Sequence, residues 1–586
     1  MIFGIDQNIA PFVAVEGSDF KQKDCMGDTP LGWAAGNGHE GVVKLLLGRG
    51  EIDPDKAGDD GQSPLFRAAR GGHEGVVKML LGRDDVNPDK SDEMGTTPLW
   101  WAARNGHKGV VKLLLSRDEI DPDKQDWYGQ TALSSASENG HEGVAKILLG
   151  RDDVNPDKSD QGGQTPLLRA ARKGRKGVVK MLLGRDDVNP NKPDEEGNTP
   201  LGWAASNGHE GVVKLLLGRA DIDPDKPEWY GQTALSCASE NGHERVAKIL
   251  LGRDDVNPDK SDQGGQTPLL RAARGGHEGV TKMLLGRDDV DPDKPEWYGQ
   301  TALSCASENG HEAVVKILLG RDDVNPDKSD RGGQTPLLLA TREGHKGVVK
   351  MLLGRDDVNP NKPDEEGITP LGWGVWSGDE ELVTMLLGRD DTNPNCPVGA
   401  NETLLWWAAH FGYEKIVKVL IGRDDVNPDQ PDFGGQTPLS RAAENGHEGV
   451  VEIFLGRDDV NPDKSNNYGQ TPLWWAAAGG HEGVVKMLLG RGDVNPDTPD
   501  KNGRTPLYCA AENGHEGVVR TLLSRGEVNP DKPDMYGQTP LLCAATNGRA
   551  RVIALLHHQR AATHSTDYAR GDIALITAFE SRTRDL

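Results

Sequence analysis

The chain has 586 residues, and its 67 Lys plus Arg against 92 Asp plus Glu give it a formal charge of −25. So negative a field favours solubility and repels polyanions, which argues against nucleic acid as a partner. Cys25, Cys237, Cys305, Cys396, Cys509 and Cys543 stand far apart without a C-x-x-C pair, which argues against a disulfide framework or zinc site and for an intracellular, cytoplasmic or nuclear setting.

In chain order, residues 1–23 come first. They contain Asp6, lack a basic region ahead of a sustained apolar stretch and make a poor signal peptide. Ile9 to Val13 aligns loosely with a helix of the later pattern, so 1–23 is expected to be a degenerate N-terminal cap or a truncated repeat. No run in the chain reaches transmembrane length, and no membrane partner is expected.

From residue 24 to 567 one unit recurs sixteen times. Thr29-Pro-Leu returns at Ser63, Thr97, Thr131 and Thr165 and onward to Thr539, always 34 positions apart. A unit this short cannot bury its own apolar face and must stack on its neighbours into a solenoid. Within it, Thr29 can cap a first helix, Pro30 suits its first turn, Leu31, Ala34 and Ala35 share a face, and Gly38 can end it. A second helix is expected from His39, with Glu40 near its positive end, Val42, Val43 and Leu45 to Leu47 as apolar surface, and Gly48 as terminator. Polar stretches such as Arg83 to Asp92, followed by Gly95, predict projecting hairpin-like loops between the helix pairs. After the last unit, Ile573-Ala-Leu575 keeps the register, so 568–586 is expected to be a capping half repeat.

The motifs speak against catalysis. His39-Glu40-Gly-Val-Val43 begins like a metalloprotease helix but has Val43 where a second ligand His belongs. Neither a G-x-x-x-x-G-K-[ST] phosphate loop nor a G-x-S-x-G nucleophile turn occurs. Asp85-Val-Asn87-Pro-Asp89 has calcium-loop spacing, yet Lys90 replaces the sharp-turn glycine and Thr96 the bidentate glutamate. No enzyme activity, cofactor or metal is expected.

The run Gly95-Thr-Thr-Pro-Leu-Trp-Trp-Ala-Ala-Arg-Asn-Gly-His-Lys-Gly-Val-Val-Lys-Leu-Leu-Leu115 resembles the ankyrin repeat, and the resemblance spans about residues 24 to 556. Two departures stand out: the fourth helix position is never the family's usual His, and each unit is one residue longer, with Val-Asn-Pro-Asp in the connector. The resemblance implies an all-α ankyrin-repeat solenoid of helix-turn-helix units. It implies a non-catalytic scaffold that binds a protein or peptide through loop tips and a concave groove; a monomer is expected. Arrays with this connector are similar to those common in fungal proteins beside signalling NTPase domains. The alternative is therefore a regulatory segment of such a system, with the catalytic domain absent from this chain.

Candidate contact residues lie where the units differ. At the loop tips stand Trp127-Tyr128, Trp229-Tyr230 and Trp297-Tyr298, aromatic pairs suited to binding or to a local clasp on the neighbouring loop. At the fifth helix position stand Trp33, Trp101, Trp203 and Trp373 in alternation with Arg169 and Arg271; the resemblance places these in the groove, where they grip a peptide or stack on one another. The units starting at Thr369 and Thr403 break the pattern with Gly374-Val375, Asp379 and Tyr413, and gather Trp373, Trp376, Trp406, Trp407, Phe411 and Tyr413. They read as a recognition focus or as a weak joint. Arg169, Arg172, Lys173, Arg175 and Lys176 form a basic island in an acidic chain, open to an acidic peptide or neutralised by neighbouring Asp.

Overall fold

Each 34-residue unit carries its own start and stop signals. Thr97 is extended, and its Oγ1 accepts the amide hydrogen of Trp100 at 3.1 Å, while Pro98 occupies the first turn of the helix Pro98–Arg104. Gly106 closes that helix at φ 78, a left-handed position that favours glycine. His107 then opens the second helix, Lys108–Leu114. Between pairs the chain turns tightly: Gly95 donates to the Asp92 carbonyl at 3.0 Å, and Asp92 donates to the Thr96 carbonyl at 3.0 Å. The Asp92 carboxylate also accepts from the amides of Met94 and Thr96, which fixes the tip of the expected hairpin-like loop.

The computed structural model describes residues 27–397 and 402–563, so the expected caps at 1–23 and 568–586 lie outside the described residues. Among the described residues there are thirty-two α-helices in sixteen pairs and no strand, an all-α architecture. They form two compact units, one reaching Ala306 and including Ala313–Val324, the other comprising Ser307–Glu312 and the chain from Asn325. In the first, eight complete pairs stack in chain order, from Pro30–Gly36 with Glu40–Leu47 to Pro268–Arg274 with Glu278–Leu285. In the second, seven complete pairs do the same, from Pro336–Arg342 with Lys346–Leu353 to Pro540–Thr546 with Ala550–Thr563. First helices pack on first helices and second on second.

The core is a repeated layer. Leu99, Ala102, Ala103, Val110, Val111 and Leu114 are all buried, and each buried Leu contributes about 1.5–3 kcal/mol. Within each unit, polar ties join a repeat to the one before. Arg151 donates to the Leu115 carbonyl at 3.0 Å while its other nitrogens hold Asp153. Lys124 reaches the Asp89 carbonyl at 2.6 Å, and His141 Nε2 meets the Arg104 carbonyl at 2.8 Å. The Trp127 amide donates to the Met94 carbonyl at 3.0 Å, linking tip to tip. The second unit repeats the scheme with Arg457 on Ile421, Lys464 on Asp429, His481 on Glu444 and the Lys501 amide on Tyr468. The recurrent Arg, Lys and His thus satisfy main-chain oxygens that helix ends and turns leave open.

Candidate functional site

The fifth-position side chains divide into two groups. Trp33 is exposed, Trp101 bonds Thr96 Oγ1 at 2.9 Å with the Arg70 guanidinium 4.5 Å from its ring, and Trp203 bonds Asp194 at 2.9 Å. Arg169 and Arg271 are 7% and 8% exposed. Arg169 is held by Glu138 at 2.5 Å and by Asp160; Arg271 is held by Glu240 and Asp262, each at 2.5 Å. The expected guanidinium grip on a ligand is corrected here. These two side chains are enclosed by carboxylates of their own and the preceding repeat, as a charge out of water requires.

The irregular repeats of the second unit build a continuous aromatic row. Trp373 stacks on Trp376 (centroids 5.4 Å, planes 10° apart), Trp376 on Trp407 (5.7 Å, 21°), Trp407 packs on Phe411 (5.4 Å), and Phe411 stacks on Tyr413 (5.5 Å). Trp376 is 46% and Phe411 37% exposed, so the row opens to solvent. Trp406 does not: it is 4% exposed, stacked on His410 and covered by the Arg441 guanidinium 4.3 Å from its ring. Its expected surface role is corrected to a core one. Asp379, standing where other repeats have His, caps the helix Glu380–Leu387 by accepting from the amides of Glu381 and Leu382. Beside this row the lysine ladder lapses, since Cys396 and Gln430 occupy the register places of Lys362 and Lys464.

At the tips, Trp127, Tyr128, Trp229, Tyr230, Trp297 and Tyr298 are between 48% and 74% exposed. Trp127 leans across Gly95, where an added Cβ would come within 2.9 Å of its ring, yet most of the indole stays open. Phe433, Tyr468 and Tyr536 are exposed at equivalent places; their position two or one before the loop Gly was the signal that marks them.

Two tips share one sequence and differ in structure. Glu296 folds its carboxylate back onto the amides of Tyr298 and Gln300, and the Trp297 amide donates to Gly264. Glu228 instead reaches into the preceding repeat, where it accepts from the amide and hydroxyl of Thr199. Tyr230 there takes φ 53, the one positive value outside glycine among the described residues. Burial, with Asp194 nearby, pushes the Glu228 carboxyl up to about 7 against the hydrogen bonds from Thr199.

Among the described residues no group of three or more His, Cys, Asp or Glu is placed to hold a metal ion, and no helix is long and apolar enough to cross a membrane. The family model for ankyrin repeats in three copies matches residues 3–92, 84–160, 119–194, 152–228, 184–262, 235–330, 322–397, 371–466, 405–500, 458–534 and 492–567. No curated protein matches the chain.

Proposed function

The chain belongs to the ankyrin-repeat family, whose arrays are generally protein–protein interaction modules, and from that premise we propose that it is a non-catalytic scaffold. It holds a protein partner on the aromatic row of its second unit, with the aromatic tips as further contacts. The observation that carries this reading is the row from Trp373 to Tyr413, in which Trp376 and Phe411 are left open though the consensus needs neither. Large, rigid aromatic side chains bring contact area at low conformational cost, and several such contacts on one frame act at high effective concentration.

The test compares partner recovery by tagged wild-type chain and a Trp376→Ala, Phe411→Ala variant, quantified by mass spectrometry. Both residues are exposed, so the fold should persist; a hot-spot pair should cost about 2 kcal/mol or more, roughly thirtyfold in affinity. Unchanged recovery would remove the proposal. Trp406→Ala serves as the contrast: it empties a buried site, and the expected result is about 3–5 kcal/mol lost from stability.

A further inference from the structure

We propose, resting on the scaffold reading, that the first unit holds a second docking groove whose occupant is an acidic peptide segment of a partner protein. The groove is a solvent-open cavity of about 520 Å³, lined by Arg104, Arg169, Arg172, Lys173 and Arg175 against the carboxylate of Glu138. Glu138 and Asp160 hold Arg169 and Glu138 also reaches Arg172, which leaves Arg104, Lys173 and Arg175 as the remaining cations of the lining, on a chain whose overall charge is −25. That volume takes a few side chains of an extended segment and not a folded domain.

Stacking does not account for the charges of Lys173 and Arg175. Lys173 stands where Asn105, Asn139 and Asn207 stand in neighbouring repeats, and Arg175 stands where His107, His141 and His209 stand. Arg175 donates its Nε to the Glu138 carbonyl at 2.9 Å, the tie that His141 makes to the Arg104 carbonyl at 2.8 Å. Histidine serves that tie at His107, His141 and His209, and Arg549 serves it on the Glu512 carbonyl, so the tie itself does not call for a guanidinium. Lys173 is exposed and adds charge where an amide suffices.

The groove also shows how it seats a carboxylate. Glu138 lies between Arg169 at 2.5 Å and Arg172 at 3.5 Å. Arg172 has its guanidinium 5.6 Å from the Trp203 ring, and its Nε is a buried donor without a hydrogen-bond partner. Because Glu138 and Asp160 already neutralise part of the cation set, singly charged carboxylates match what remains better than dianionic phosphate.

The test is fluorescence anisotropy of a short labelled peptide of alternating Glu and Gly, titrated with the full chain at low and high salt. The expected result is salt-sensitive binding that weakens about tenfold or more in Arg104→Glu, Lys173→Glu. It should persist in the control Lys112→Glu, Lys180→Glu, which reverses two exposed charges on second helices. Equal weakening by both variants, or no binding by wild type at low salt, overturns the groove. A phosphoserine peptide binding where the Glu peptide does not overturns the carboxylate assignment. Circular dichroism melts of each variant separate misfolding from lost binding. Partner recovery through Trp376 and Phe411 is independent of these charges, so failure of the groove and failure of the scaffold reading give different results.

Discussion

Glu228 and Glu296 open the same sixteen-residue sequence, yet one carboxyl enters the preceding repeat and the other closes its own turn. The difference comes from the repeat before. Gly202 leaves a gap into which Glu228 Oε2 extends, to within 1.7 Å of where a Cβ would stand, whereas Leu270 fills the register-equivalent place ahead of Glu296. Gly202→Ala should therefore expel the carboxyl and convert the Trp229–Tyr230 tip to the geometry of Trp297–Tyr298. A crystal structure retaining the inserted carboxyl would contradict this. The buried acid also sets a pH dependence. With its folded pKa raised from 4.5 to about 7, the native state keeps a proton that the unfolded chain releases. Its stabilising contribution is complete below 4.5, declines as pH rises, and is gone above about 7. Relative to Glu228→Gln, the wild-type thermal midpoint should fall between pH 5.5 and 8; parallel profiles would refute the assignment. None of this was legible in the tip sequences, which are identical; it depends on a glycine in another repeat.

At the scale of the helix pair, most of the fold was legible. Thr-Pro-Leu marks the first helix, Gly at the turn ends it, and the apolar spacing of the second helix names its buried face, as Thr97, Gly106 and Val111 show. Thr97→Ala should cost about 1 kcal/mol, read from chemical denaturation, because the Trp100 amide loses its acceptor. Gly374 is the one break in the close-packing alanine column, and a Cβ there would meet Val383 and Leu386 at ordinary contact distances of 3.4 and 3.5 Å. Gly374→Ala should accordingly stabilise by about 0.5–1 kcal/mol; a loss would mean that the irregular repeat needs the glycine. The fate of the fifth position was less legible. Arg169 and Trp406 look open on a helix read alone, but Glu138, Asp160 and Arg441 arrive from elsewhere and enclose them. The connectors hid more: Lys124 and Arg151 read as polar turn residues, whereas each bonds a carbonyl in the preceding repeat.

At the scale of the whole molecule, repetition multiplies small effects. Asp89, Asp123, Asp259, Asp429 and Asp463 hold register-equivalent half-buried places, and burial raises each carboxyl above 3.8. The folded chain then binds protons that the unfolded chain releases, so stability should fall as pH climbs above 3.8. Asp85 and Asp153 are shifted down by Arg83 and Arg151 and act oppositely as pH falls, but they are exposed and screened. Calorimetry in a Glu228→Gln background should give a midpoint that starts to decline as pH rises above 3.8; a profile flat from 3.8 upward would contradict the burial of the column. The central claim, that the aromatic row of the second unit is where a protein partner sits, is tested most directly by hydrogen exchange on the purified complex. The account predicts new protection in peptides covering Trp373 to Tyr413. Protection confined to second helices other than Glu380–Leu387, with that stretch exchanging as in the free chain, would contradict it.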